Sequence, residues 1–220
     1  GEPKYIVIMI FTILLNYICA LLIHSNRTKG KQGAAKAVLV VSVILNLGIL
    51  GFFKYFNFFL TNINNIFGLD IQFLKLALPI GISFYTFQTM SYTIDVYRND
   101  AKVQKNIINL AAYVTMFPQL IAGPIVRYQD VAEQLEYRDG TAEKFAQGVQ
   151  RFCIGLGKKV LLANNIGALW DTVKVMENPT VLSAWLGAFA FMFQIYFDFS
   201  GYSDMAIGMG KMLGFEFLEN

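Results

Sequence analysis

From Tyr5 to Ile23 the chain offers nineteen residues in which only Thr12 and Asn16 interrupt the apolar side chains. A helix crossing the roughly 30 Å hydrocarbon core of a bilayer needs about 20 such residues, so a run of this length narrows the folds open to the chain. Residues 38–60 supply a second run, with Lys54 close enough to its end to snorkel, and residues 76–96 a third, more polar one. Val181–Phe197 adds another. An unusually apolar soluble domain does not account for these lengths. Soluble domains also carry about 25% charged residues, whereas this chain of 220 residues has 15% charged and 55% hydrophobic side chains. The fold class expected is all-α: a polytopic transmembrane helical protein, located in the cell membrane as a multi-pass protein with lipid as its surroundings. With no internal repeat or low-complexity linker, residues 1–220 read as a single membrane domain. The first residue is Gly and the last stretch has no polar tail, so both ends read as internal to a longer protein.

Charge sets the orientation. Arg27, Lys29, Lys31 and Lys36 lie between the first two runs with no acidic residue among them. Short loops with that bias stay in the cytoplasm. This puts residue 1 and the 61–74 loop outside and the end of the third run inside, where Arg98, Lys102 and Lys105 face only Asp100. The net charge of +3 fits cytoplasmic loops near anionic lipid, and nucleic acid is not an expected partner. Asn26-Arg27-Thr28 is a glycosylation sequon in form, but a loop on that side is not modified. Cys19 and Cys153 have no metal-ligand spacing and read as small apolar residues, so no metal is expected.

Residues 107–126 are apolar but contain Pro118, Gly123 and Pro124. Proline removes a backbone donor and clashes with the preceding turn, which predicts a broken or re-entrant helix. Residues 127–169 read as cytoplasmic or interfacial: first polar amphipathic helices, then an apolar run whose Lys158 and Lys159 would sit among the headgroups. After the 181–197 span, Ser200-Gly201 is expected to break the chain before a further helix over 202–215. Ala206, Gly210 and Gly214, four residues apart, read as a helix-packing seam.

The informative residues are the polar ones at membrane depth. Gly81, Tyr85, Gln88, Tyr92 and Asp95 fall on one helical face within roughly 60°. Lipid penalises such a face, so it points into the protein or toward water, either as interhelical hydrogen-bonding glue or as the lining of a substrate or proton path. A second cluster runs from Gln194 through Asp198, Ser200, Gly201, Tyr202 and Ser203 to Asp204. It reads as the lining of a cavity or as structural hydrogen bonding. Two tempting motifs fail. Gly155-Leu-Gly157-Lys158-Lys159 has Phe152 where a phosphate loop needs its first glycine and no Ser or Thr after the lysine. His24, the only histidine, reads as an interfacial residue at the end of the first run and gives no Ser-His-acid set.

Three stretches together resemble the membrane-bound O-acyltransferase family in its bacterial alginate O-acetylation branch. They are Leu78-Pro-Ile-Gly-Ile-Ser-Phe-Tyr-Thr-Phe-Gln88 with Ile94-Asp-Val-Tyr-Arg98, Phe117-Pro-Gln-Leu-Ile-Ala-Gly-Pro-Ile-Val-Arg127, and Tyr196-Phe-Asp-Phe-Ser-Gly-Tyr-Ser-Asp-Met-Ala-Ile-Gly208. The likeness runs over nearly the whole chain, and teichoic-acid D-alanylation proteins fit more loosely. It implies a partial fold of that family: helices around a thinned membrane centre, with funnels from both faces. An acyl group, from acetyl-CoA or another cytoplasmic acyl thioester, would pass to hydroxyls of an extracytoplasmic polysaccharide such as alginate, with an extracytoplasmic acetylation protein as a partner. The family's catalytic histidine follows a Trp/Arg-rich motif that this chain does not reach, so no catalytic residue is assigned and the segment alone is expected to be inactive. Gln88, Asp95, Gln119, Arg127, Asp198, Tyr202 and Asp204 would line or brace the funnels, with Arg127 as an anchor for donor phosphates. A membrane transporter or channel, marked by broken helices and midplane polar groups, is the alternative; a membrane scaffold is a third reading.

Overall fold

A computed structural model describes residues 5–73, 78, 79, 81–120, 123 and 126–219, the side chains of Gln119 and Leu120 aside. Every regular element among the described residues is helical. They are α1 (Ile6–Thr28), α2 (Gln32–Phe67), α3 (Ile82–Arg98), α4 (Ile107–Thr115), α5 (Phe117–Leu120), α6 (Tyr128–Glu136), α7 (Ala142–Gly157), a π-helical turn (Lys158–Ala163), α8 (Asn164–Lys174) and α9 (Val181–Met212). Among them α1, α2 and α9 are long and apolar enough to cross a membrane. The chain divides into two compact units, Gly1–Met116 with Arg127–Glu136, and Phe117–Val126 with Tyr137–Asn220.

In the first unit α1 and α2 pack side by side with α3 against both. What holds them is polar. Asn16 of α1 and Asn46 of α2 exchange amide hydrogen bonds, 3.0 Å in each direction, and Asn16 Oδ1 also accepts from Ser42 (3.2 Å) and from Thr93 of α3 (2.9 Å). All four residues are fully buried. In hydrocarbon such bonds have no competing water, which suits them to fixing helices that the hydrophobic effect does not press together. At the end of α1, Arg27 donates to the Val96 and Tyr97 carbonyls that finish α3, where a positive charge also suits the helix dipole.

The run at 76–96 becomes a shorter helix than expected. Gly81 has φ +74°, outside helical space, and the Ile82 N–H closes a turn onto the Pro79 carbonyl (3.2 Å), so α3 begins only at Ile82. Residues 74–77 and 80 lie outside the described residues. The proline-bearing stretch does break. α4 stops at Thr115, Met116 turns extended (φ −60°, ψ 105°), and α5 restarts with Pro118 in its first turn, where no amide hydrogen is missed. The rest of that expectation, at 121, 122, 124 and 125, falls outside the described residues.

In the second unit α7, the π turn and α8 form one continuous helical stretch, Ala142–Lys174, capped by the Thr141 hydroxyl, which accepts from the Lys144 N–H (3.1 Å). It packs along α9, which Thr180 starts in the same way through the Ser183 N–H (3.2 Å). Here two expectations are corrected. The span over 181–197 and the further helix over 202–215 are one helix of 32 residues running straight through Ser200-Gly201 and ending at Met212. Gly201 does not break α9 because it is a point of backbone contact. A Cβ on Gly155 would lie 2.5 Å from the Gly201 carbonyl oxygen, and one on Gly148 2.6 Å from that of Gly208. The two glycine pairs stand seven residues apart on both helices, in opposite order, so the helices are antiparallel with their backbones touching. The seam is therefore Gly148, Gly155, Gly201 and Gly208. The expected seam residue Gly210 instead leaves room for Phe217, whose ring carbon would be 2.3 Å from an added Cβ.

Candidate functional site

Buried and half-buried polar groups collect at one place in each unit. In the first, the expected face of α3 is turned inward: Tyr85, Tyr92 and Asp95 are buried and Gln88 half-buried. Gln88 Nε2 donates to the Tyr113 carbonyl of α4 (3.1 Å). The Tyr92 hydroxyl accepts from the Gln104 N–H (2.9 Å), and Gln104 Nε2 donates to the Tyr128 hydroxyl of α6 (3.0 Å). Tyr128 lies edge-on to both Tyr92 and Tyr113, with ring centroids 4.7 and 5.4 Å away. This stretch of the face is hydrogen-bonding glue among α3, α4 and α6. Its two ends differ. Tyr85 Oη and Asp95 Oδ2 are buried without a hydrogen-bond partner among the described residues. A buried, unmatched polar atom costs about 1–3 kcal/mol. Around Asp95 the charges of Arg127 and Arg98 attract its carboxylate while Asp100 and Asp130 oppose it. Arg127 itself is exposed, its N–H donating to Asp130 Oδ2 (3.1 Å) at the start of α6.

In the second unit the acids of α9 are engaged by cations. Asp204 accepts from Arg151 Nε (2.8 Å) and Lys158 Nζ (2.6 Å), and Lys158 also donates to Ser200 Oγ (3.0 Å). Asp198 pairs with Lys159. Lys158 and Lys159, read from the sequence as headgroup residues, have carboxylate partners on α9: a carboxylate on an apolar helix needs a counter-charge, and these lysines supply it. At about 100° per residue, Asp198 and Asp204 sit roughly 60° to either side of Gly201. They flank the seam instead of meeting in one place. Gln194 and Tyr202 are half-buried; Gln194 lies against Gly167, and Gln194 Oε1 is a further buried atom without a partner among the described residues. Gln119 belongs to α5, and its side chain lies outside the described residues.

Past α9 the chain turns back. Gly214 has φ +84°, the Gly214 N–H bonds the Lys211 carbonyl (3.1 Å) and the Phe215 N–H that of Gly210 (2.9 Å), the double bond pattern that ends a helix at a left-handed glycine. Phe215 then lies under the Arg138 guanidinium at 4.8 Å, Glu216 reaches Lys144 (3.0 Å) and Glu219 reaches Arg151 (2.6 Å). The hydrogen bonds from these two cations hold the carboxyls of Glu216 and Glu219 below the usual glutamate range. Among the described residues no group of three His, Cys, Asp or Glu is arranged to hold a metal ion.

Sequence reasoning missed Asn46, Ser42, Thr93, Arg151, Lys158 and Lys159 as partners of these sites. For Arg151, Lys158 and Lys159 the available signal was the matched seven-residue glycine spacing, 148 with 155 and 201 with 208.

The profile of the membrane-bound O-acyltransferase family matches residues 98–220, more than half of the chain. The chain belongs to that family. Among curated relatives, the probable alginate O-acetylase AlgI of Pseudomonas aeruginosa is 50% identical over 191 residues, covering 85% of this chain and 37% of its own length. The peptidoglycan O-acetyltransferase of Helicobacter pylori is 35% identical, covering 94% of this chain and 44% of its own. More distant is the teichoic acid D-alanyltransferase of Bacillus subtilis, 27% identical over 150 residues, with 64% of this chain and 37% of its own covered. The chain spans about two fifths of the length of the curated relatives it matches. Both the α4–α6 glue and the α7–α9 seam use residues inside the matched range.

Proposed function

We propose that this segment belongs to an integral membrane O-acyltransferase that moves an acetyl group from a cytoplasmic acyl thioester, acetyl-CoA being the plainest, to hydroxyls of an extracytoplasmic polysaccharide, alginate or a similar polymer. The observation that carries the reading is the family match over 98–220 together with 50% identity to a probable alginate O-acetylase. The chemistry is ester formation. A sugar hydroxyl oxygen bonds to the acyl carbon, its proton passes to a general base, and the thiolate leaves. We assign no residue of this chain to the base, and the segment alone is proposed to be inactive.

The two units are proposed to belong to one multi-pass domain of the cytoplasmic membrane, with Arg27, Lys29, Lys31 and Lys36 and residues 127–169 on the cytoplasmic side. An extracytoplasmic acetylation protein is the proposed partner. Gln88, Asp95, Gln119, Arg127, Asp198, Tyr202 and Asp204 remain the proposed lining or bracing residues. The unmatched Oδ2 of Asp95 supports a lining role there, whereas the cation partners of Asp198 and Asp204 support bracing.

The test is complementation. The full-length protein is expressed in an alginate-producing strain lacking its own acetylase, and ester-linked acetate on the secreted polymer is measured by proton NMR. Acetyl esters are expected. Membrane-localised protein with no polymer acetylation, on alginate or on peptidoglycan, would sink the proposal.

A further inference from the structure

The strap formed by residues 213–219 is tied down by two kinds of contact. Phe215 and Phe217 are buried, with Phe217 seated in the notch at Gly210. Ionic ties join these, Glu216 to Lys144 and Glu219 to Arg151. Lys144 and Arg151 are seven residues apart on α7, about 10.5 Å along a helix, and Glu216 to Glu219 spans about 10 Å of extended chain, so the two pitches match. The strap therefore runs along α7, toward Lys158.

Arg151 has a second bond. Its Nε donates to Asp204 inside the seam while its Nη1 donates to Glu219 on the strap. The two acceptors are unequal: the Asp204 side chain is 10% exposed and that of Glu219 is 70% exposed. The shielded bond fixes the guanidinium, and the exposed one follows. A planar fork serves two carboxylates at once in a way that a lysine ammonium does not.

We infer that Arg151 is a positioning residue, through which the charge of Asp204 in α9 sets whether the strap after α9 is seated along α7. The strap is then a readout of the α7–α9 seam: neutralising or displacing Asp204 lets Arg151 swing away from Glu219, and the segment beyond Phe217 comes loose.

The experiment uses the full-length membrane protein with Cys19, Cys153 and every cysteine outside residues 1–220 replaced by Ala and a single nitroxide on Leu218→Cys, an exposed position beside Phe217. The parent gives an immobilised spectrum, and Gly210→Val, which fills the notch without touching a charge, gives the mobile one. Asp204→Asn is expected to raise the mobile component about twofold or more, yet to add almost nothing in a Glu219→Gln background, because coupled residues are non-additive where independent ones are additive. Arg151→Lys, which keeps the charge, is expected to free the label as Asp204→Asn does. An immobile label in either variant, or an undiminished effect of Asp204→Asn once Glu219 is neutral, overturns the inference. None of these readouts involves acyl transfer, so they stand or fall apart from the proposed activity.

Discussion

A single asparagine links all three long helices of the first unit. Asn16 Oδ1 accepts from Asn46, Ser42 and Thr93, so truncating it takes an acceptor from donors on two other helices, although Thr93 keeps the Thr89 carbonyl. The asymmetry of buried hydrogen bonds then predicts an unusual order. Asn16→Leu should cost about 1–3 kcal/mol. Asn16→Leu with Asn46→Leu should cost less than that single change, since the reciprocal amide is removed along with its partner. Thermal unfolding in detergent checks this, and an Asn16→Leu protein as stable as its parent would remove the network from the account. Asn16 was visible in the sequence as an interruption of an apolar run. Its partners were not, because Ser42, Asn46 and Thr93 lie 26, 30 and 77 residues away and only packing brings them together. The same distance hid the partners of Lys158 and Lys159, 39 to 46 residues on in α9.

At the scale of the element, glycine meant contact where it had suggested a break. The expected stop at Ser200-Gly201 follows from glycine's low helix propensity in water. In α9 that cost is met by bringing Gly201 against Gly155, backbone on backbone, with ionic bonds on both flanks. Two neighbouring glycines of the same stretch should therefore respond with opposite sign. Gly155→Ala places a methyl 2.5 Å from the Gly201 carbonyl and should cost about 1–3 kcal/mol or more. Gly157→Ala meets nothing within 4 Å and should leave stability unchanged or raise it by up to about 1 kcal/mol. Equal melting temperatures for the two would refute the seam. By contrast, the break before Pro118 and the inward face of α3 were legible in advance, since each follows from a local rule: a missing donor in one case, helical periodicity in the other.

For the whole molecule the proposed orientation rests on Arg27, Lys29, Lys31 and Lys36, where α1 gives way to α2, and it is open to direct labelling. A membrane-impermeant maleimide should reach Asn62→Cys in intact spheroplasts of an otherwise cysteine-free protein, and reach Lys31→Cys only after the membrane is opened. The reverse pattern would invert the proposed arrangement and with it the side from which the donor arrives. α2, which joins those two positions, has a geometry of its own to satisfy. Its 36 residues measure about 54 Å against a hydrocarbon thickness of about 30 Å. To hide all of that length α2 would have to lean by more than 50°, beyond the 0–40° that membrane helices adopt. If α2 crosses as proposed, some of it stands clear of the oily layer, and the turns bearing Asn62, Asn64 and Asn65 are chemically fitted to do so, as are the first turns with Gln32 and Lys36. On the proposed arrangement α2 is both a crossing and a short mast, planted in the bilayer and raised above it.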